Sequence, residues 1–573
     1  MKRLIICLLL VGPAFAALPT GVAWEIRATG NDNNGGGFVW ASGAKDVAAS
    51  ATLAIDAAEN KKVTSSAHNF VSGDVLKVLC VTAGTGWAAG CYQITSTAAN
   101  AAVLDRSPSA AGNSNLGTYD LYGGVDYTQQ DAAAFSGTNL TVDATTNTLV
   151  TSAVHNFVST DVGNLIQITA GTGWTTGFYQ IVSVAANAAT LDRSAAAVGT
   201  AGGTWAEGGA LASPGKLLVS SGPLTLYFKI FIRYSATPYT TSSALTVPSG
   251  LGGSPAPNAG YIVGYETTRA DSYDIGHVNR PMIQASSGSF VVMTLQTGAQ
   301  IQNMIIDCNG HGTGGIAMSG GYSGAYNNLI KGCTFYGIAG FGNAGNSAAG
   351  NEITAFTNAA TLGINNVAIT VRNWVHDSAG ASGYLAISNT SAMVGGMIAH
   401  NVVTNISAAA GCPACDGIVI NYAQSVLSNT IYNVSRDGIV TASNWITEVV
   451  YDNVVANAGR YGLNSSTGAI PTSPTYDGNC FYSIGTANFN NINLSSGISG
   501  AAPYTVRFDV SAVASPYVNA SGGDFRLAAA STCRGAGLNG PMPSGLAAGK
   551  TSFGAMGAAE AAASSGGAFT FVR

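Results

Sequence analysis

The chain has 573 residues, of which 47 % are hydrophobic and only 9 % charged, with 74 glycines and a net charge of −5. This is longer than one ordinary domain and apolar enough for a large core. The low charge and the lack of a basic run exclude an electrostatic nucleic-acid binder, and the abundance of Gly and Asn favours turn-rich β-structure over helix.

Residues 1–16, "MKRLIICLLLVGPAFA", read as a secretory signal peptide. Lys2 and Arg3 supply the positive start, Leu4 to Val11 the apolar run, and Ala14-Phe15-Ala16 the cleavage site. The run is too short to span a bilayer, and no later stretch of eighteen apolar residues follows. The expectation is a secreted, extracellular protein that is not membrane-spanning. Beyond Cys7 lie eight further cysteines, an even number that favours disulfides in an exported chain.

After an opening segment (17–54), residues 55–125 and 126–212 hold two copies of a small module. "HNFVSGDV" at 68–75 answers "HNFVSTDV" at 155–162, and "TAGTGW" at 82–87 answers the same six residues at 169–174, both at an offset of 87. Such self-similarity marks a duplicated structural unit. Short apolar runs such as "LIQIT" and "FYQIVSV", separated by Gly-rich turns, predict antiparallel strands in small barrels or sandwiches. Cys80 and Cys91 stand only in the first copy, opposite Gln167 and Phe178 in the second. Their joint appearance across a predicted hairpin predicts a cross-strand disulfide. Trp87 and Trp174 end the same Gly-rich loop in each copy. They are candidates for stacking on a sugar, or for closing the barrel, since large aromatics mostly serve burial.

Residues 213–530 carry a longer repeat. Aligned on Asn, the segments begin at Asn303, Asn328, Asn351, Asn373, Asn401, Asn429, Asn453 and Asn479. The third position of each is apolar: Ile305, Ile330, Ile353, Val375, Val403, Ile431, Val455 and Phe481. A Gly–apolar pair follows in several, as in Gly337-Ile338, Gly417-Ile418, Gly438-Ile439 and Gly462-Leu463. A period of 22–28 residues with short β-runs and no helical signal predicts a parallel solenoid. Stacked coils place like residues about 4.8 Å apart. The apolar column then fills the core and the Asn column forms a hydrogen-bonded amide ladder. Cys308 and Cys333, at the sixth position of neighbouring coils, are expected to stack and bond. Residues 531–573 read as a C-terminal cap and low-complexity tail.

In this repeat the chain resembles the right-handed parallel β-helix proteins of the pectate-lyase-like superfamily. "WEIRATGNDNNGGGF" at 24–38 is similar to the opening of such secreted proteins, and "DYTQQDAA" at 126–133 to a segment of bacterial and phage members. "GGDFRLAAAS" at 522–531 and "FGAMGAAE" at 553–560 resemble the closing segments. The resemblance implies an all-β fold, a right-handed parallel β-helix preceded by the two antiparallel modules. It leaves function open among lyases, hydrolases, tailspikes and adhesins.

Within that frame, the charged residues in register are Asp416 and Asp437, each before a Gly of neighbouring coils, and Arg436 and Arg460, one position earlier. Carboxylates one coil apart suit calcium ligation or a retaining glycosidase pair; Asp before Gly also satisfies turn amides. No other cofactor is implied. The fourth position after each Asn carries Lys331, Thr354, His376, Thr404, Tyr432, Ala456 and Tyr482. His376, Tyr432 and Tyr482 in this column are candidate glycan contacts or ordinary solvent-facing residues. "CNGHGTGG" at 308–315 is superficially similar to a polygalacturonase motif, but its companion residues are missing, so His311 reads as a turn residue. Cys412 and Cys415, in "CPAC", read as a local disulfide or halves of two staples, and the sequence offers no clear metal set there. The leading expectation is a protein that binds a polysaccharide or glycan-bearing surface without cleaving it. Alternatives are a polysaccharide lyase or glycoside hydrolase using Asp416, Asp437, Arg436 and Arg460, and a structural fibre protein. Fibres of this fold are often homotrimers, but nothing in the sequence marks a trimer seam.

Overall fold

The computed structural model describes residues between 23 and 533; stretches including 1–22, 37–44, 123–131, 248–259, 267–277, 407–414, 442–448, 466–474, 492–509 and 534–573 lie outside the description. The signal peptide, Cys412 and the "FGAMGAAE" segment therefore fall outside it.

Among the described residues the chain forms the expected parallel β-helix with three sheets of 11, 11 and 10 strands. The first sheet starts at Ala23–Ile26, which pairs directly with Lys229–Arg233 and then Gly260–Tyr265. The second runs from Tyr239–Thr241 to Cys480–Tyr482 and Val510–Ser511, and the third from Leu245–Thr246 to Ala487–Asn490. The two modules are thus inserted between the first two strands of the first sheet. Each is a closed six-stranded antiparallel barrel, one opening with Lys45–Ile55 and one with Phe135–Val142.

The opening segment ties the insertion to the solenoid. Asp32 Oδ1 accepts the backbone N–H groups of Ala212 and Ser213 at 2.9 Å each, and Asn34 Nδ2 donates to the Ala210 carbonyl at 2.8 Å. The second barrel packs against the same end of the solenoid core, where Phe178 meets Trp24 edge-on at 5.0 Å. This accounts for the difference between the copies. Positions 167 and 178 of the second barrel face the solenoid. In the first barrel the matching residues, Cys80 and Cys91, are Cα partners across a hairpin. Cys80 is disulfide-bonded, and the Cys91 side chain lies outside the description.

The Asn repeat is an amide ladder at the bend between the first and second sheets. Asn373 Oδ1 accepts from Asn351 Nδ2 at 2.9 Å and from the Asn351 backbone N–H at 3.0 Å, and the pattern continues through Asn401, Asn429, Asn453 and Asn479. The remaining amide hydrogen goes to a first-sheet carbonyl, as from Asn401 to Thr370 at 2.9 Å. These side chains are fully buried or nearly so, and each polar atom is satisfied. One position differs from the sequence reading. Ile306, not Ile305, pairs with Ile330 in the core, so Met304 occupies the ladder slot and its N–H donates to Asn328 Oδ1. Asn303 sits one residue earlier in the left-handed region, at φ 61°, which its short polar side chain tolerates. The ladder therefore begins at Asn328.

The Gly–apolar pairs mark where the core is thinnest. A Cβ on Gly438 would lie 2.4 Å from Val455 Cγ1, and one on Gly417 2.9 Å from Ile431 Cγ2. The apolar third position of one sheet thus fills the space of the missing side chain on another. Cys308 and Cys333 are bonded as expected. Cys415 is also disulfide-bonded. Cys480 bonds Cys533, a pairing the sequence left open.

Candidate functional site

Asp416 and Asp437 stand where the chain enters the third sheet, and both are fully buried. Each is clasped by the arginine of the next coil. Arg436 Nε donates to Asp416 Oδ1 at 2.6 Å, and its Nη2 to Oδ2. Arg460 Nε donates to Asp437 Oδ1 at 2.9 Å and Nη2 to Oδ2 at 2.5 Å. Backbone donors add to this: Asp437 N–H to Asp416 and Tyr461 N–H to Asp437, both at 3.2 Å, and Asn464 Nδ2 to Asp437 at 2.8 Å. Burial pushes the Asp416 carboxyl up, against the opposing pull of Arg436. The hydrogen bonds to Asp437 push the Arg460 guanidinium up. The stacking foreseen from sequence is present, but the carboxylate oxygens are engaged inside the protein. What the patch presents outward is the edge of Arg436 and of Arg460, the latter over the Tyr461 ring at 4.9 Å.

The fourth-position column also exists, since Lys331, Thr354, His376, Thr404, Tyr432, Ala456 and Tyr482 pair in register on the second sheet. Its C-terminal half is covered by the chain itself. The hairpin of Tyr517–Asn519 and Asp524–Leu527 lies over it, with Tyr432 at 5.6 Å from Phe525 and 6.0 Å from Tyr517. The Cys480–Cys533 bond ties this cover down, and Tyr482 packs against the same apolar cluster. Tyr432 and Tyr482 are therefore ring contacts of a cap. His376 lies in the other half, stacked on Trp374 at 3.7 Å. Its Nε2 is 3.2 Å from Glu352 Oε1, and its Nδ1 is 2.9 Å from Asp377 Oδ2. Glu352 and Trp374 directly follow ladder asparagines, so the second position of the repeat would have found them.

Trp87 and Trp174 are buried in their barrels. Trp87 Nε1 donates to the Asn115 carbonyl at 2.9 Å, and Gly84 and Gly117 pack on its ring. Trp174 does the same with Ala201, Gly171 and Gly203. Both close the barrel and offer no stacking face.

The exposed aromatic surface is elsewhere, on the outer side of the third sheet. Phe335 and Phe341 flank the strand Tyr336–Ala339 and are 47 % and 55 % exposed. The buried Tyr336 ring lies beneath them, at 5.8 Å and 6.2 Å. Tyr322, 44 % exposed, sits on the matching turn one coil earlier, over Gly345 of the turn that carries Phe341. Tyr322 and Phe341 have φ of 59° and 49°, a conformation costly for bulky side chains. Sequence reading missed these residues because they fall in turns, outside the repeating columns. Tyr336, Leu362, Leu385 and Asp416 follow one another in register along the same face, so the aromatic patch stands about 14 Å from Asp416, with Arg436 and Arg460 entering from the next two coils.

No protein-family model matches the chain, and neither does any curated protein. The solved structures similar to it include an alginate lyase from Paenibacillus sp. str. FPU-7, at 14 % identity over 46 % of this chain and 92 % of that one, with a TM-score of 0.32. The pectate lyase Pel9A is similar at 12 % identity over 59 % and 88 %, TM-score 0.33. The Dettilon tailspike protein is similar at 13 % identity over 47 % and 62 %, TM-score 0.25. The protein's own three stacked parallel sheets make it a parallel β-helix. The likeness is one of fold.

Proposed function

We propose that this is an exported protein that binds carbohydrate along the outer face of the third sheet, without cleaving it. The observation that carries the reading is the set of half-exposed rings, Tyr322, Phe335 and Phe341, two of them held in left-handed backbone at the same turn of successive coils. Sugar rings present apolar faces that stack on aromatic rings, and a ring fixed by the backbone loses little entropy on binding. The coil repeat of about 4.8 Å is close to the advance of one sugar residue in an extended glycan. An extended chain laid along the solenoid would meet the aromatic patch first and the Arg436 and Arg460 edges farther on. Among the described residues no helix is long and apolar enough to cross a membrane. Glycan binding by the wild type, lost in a Phe335→Ala/Phe341→Ala variant of unchanged fold, tests the reading.

A second reading, cleavage of a polysaccharide, draws on Glu352 and His376. Glu352 Oε2 is buried without a hydrogen-bond partner while Oε1 faces His376 Nε2. A carboxylate beside an imidazole on a sheet face suits proton transfer. New reducing ends or unsaturated products from a polysaccharide panel, abolished by Glu352→Gln, would favour it over binding alone.

A further inference from the structure

The two barrels share a histidine–aspartate pair, with the aspartate buried in both, but neutralise it differently. In the first barrel His68 Nε2 lies 2.9 Å from Asp74 Oδ2, and the Val71 N–H donates to the same oxygen at 2.8 Å. Lys77 completes the group, its Nζ donating to Asp74 Oδ1 at 2.8 Å and to Asp46 Oδ2 at 2.7 Å. The second barrel repeats the pair, with His155 Nε2 at 2.7 Å from Asp161 Oδ2 and the Val158 N–H at 2.8 Å. At the offset of 87, however, Asn164 replaces Lys77 and Ala133 replaces Asp46. Glu207 replaces Asp120, and its longer side chain brings a second carboxylate to the group.

The cationic nitrogen is therefore gone and a carboxylate has been added. Glu207 is fully buried; its Oε1 accepts from Asn164 Nδ2 at 2.7 Å. Its Oε2 lies 3.6 Å from His155 Nε2 and has no hydrogen-bond partner. Asn164 Oδ1 is likewise buried without one. A buried carboxylate oxygen and amide oxygen left unsatisfied are each unfavourable, and a cation would relieve the carboxylate. Two carboxylates balanced by at most one imidazolium also leave net negative charge in the barrel.

We propose that the second barrel holds a divalent metal ion between His155 Nε2, Asp161 Oδ2 and Glu207 Oε2, a cation in the group where the first barrel has the lysine ammonium. Each of the three residues offers one ligand atom within 4.8 Å of those of the other two. Tetrahedral ligands at about 2.0–2.1 Å from zinc stand about 3.3 Å apart, so a small outward shift of His155 from Asp161 seats the ion. One imidazole with two carboxylates suits Zn²⁺ or Mn²⁺ better than Ca²⁺, which takes an all-oxygen shell. The Phe135 ring stacks on His155 at 3.6 Å and is only partly buried, so it forms the cover through which an ion passes.

The test uses the full-length protein stripped with EDTA and titrated with ZnCl₂ or MnCl₂ by calorimetry, with Co²⁺ absorption as a second signal. One equivalent should bind per chain. Asn164→Lys, which restores the first barrel's own solution, should weaken binding at least 100-fold while the circular dichroism stays unchanged. Glu207→Gln should weaken it similarly, and Glu207→Asp only in part. Absence of stoichiometric binding by the stripped wild type would overturn the proposal, leaving protonation of the cluster as the means of neutralisation. So would binding that survives both Asn164→Lys and Glu207→Gln, which would place the ion elsewhere.

Discussion

Replacing Asn401 with alanine removes the middle rung of the amide ladder. Its Oδ1 accepts from the Asn373 N–H and from Asn373 Nδ2, both at 3.0 Å, and its Nδ2 donates to the Thr370 carbonyl at 2.9 Å and to Asn429 Oδ1 at 3.0 Å. Asn373 Nδ2 keeps other partners, the carbonyls of Ala348 and Val371. The buried Asn373 N–H does not, and leaving such a group unsatisfied costs about 1–3 kcal/mol. With the broken bonds to Thr370 and Asn429 the total is about 3 kcal/mol. A solenoid is held by nearest-neighbour contacts, so the loss should be local. Hydrogen exchange of strand amides in the coils around Asn373, Asn401 and Asn429 should quicken about 100-fold, while both barrels keep their protection. Asn401→Asp should do no better, because it sets a carboxylate oxygen against the Thr370 carbonyl. If Asn401→Ala changes exchange in these coils less than about 5-fold, roughly 1 kcal/mol, the ladder is ornament and the argument fails.

Gly438→Ala places a Cβ 2.4 Å from Val455 Cγ1 and 2.6 Å from the Gly462 carbonyl, and should cost about 1–3 kcal/mol in denaturant titration; a neutral result would mean the coils separate easily. Asp437→Ala leaves Arg460, the Tyr461 N–H and Asn464 without their acceptor, and should cost about 2–3 kcal/mol, at the low end for a broken buried pair because Arg460 is 43 % exposed and can turn to water. A substitution there that spared stability yet abolished cleavage of a glycan would restore the catalytic reading of this pair. Burial and the Arg372 charge push His400 down to about 4. Its folded value lies below the ordinary 6.5, so its contribution is fully present above pH 6.5 and is lost as pH falls toward 4. His400→Asn, which tolerates the positive φ of 58° at this position, should flatten the fall in Tm over that window.

The solenoid was legible because its physics is periodic. An amide that must bond its copy in the next coil recurs at one phase, and so does the aliphatic residue beside it. The reading slipped by one residue at Asn303, where two Asn-compatible positions, the left-handed one and the ladder one, adjoin. The Cys480–Cys533 bond was not legible, since it joins a coil to a returning hairpin that follows no repeat. That hairpin is also why Tyr432 and Tyr482, in register as expected, pack under a cap instead of facing solvent. Asp416 and Asp437 stack as read, but spacing alone does not reveal whether an arginine one coil on faces water or folds back on the carboxylate. Tyr322, Phe335 and Phe341 lie in turns of differing length, where no column exists to mark them. The buried cluster at Glu207 was within reach by comparing the two barrels, through the exchange of Lys77 for Asn164.

The central claim is that the third-sheet face binds glycan through its exposed rings. It is tested most directly by screening wild type and Phe335→Ala/Phe341→Ala on a glycan array, then measuring the best ligand by calorimetry. Removing two stacking rings at about 1 kcal/mol each should weaken binding roughly 30-fold with Tm unchanged, since both side chains are about half exposed. Equal affinity of the two proteins for that ligand, or no glycan bound by the wild type, would contradict the account.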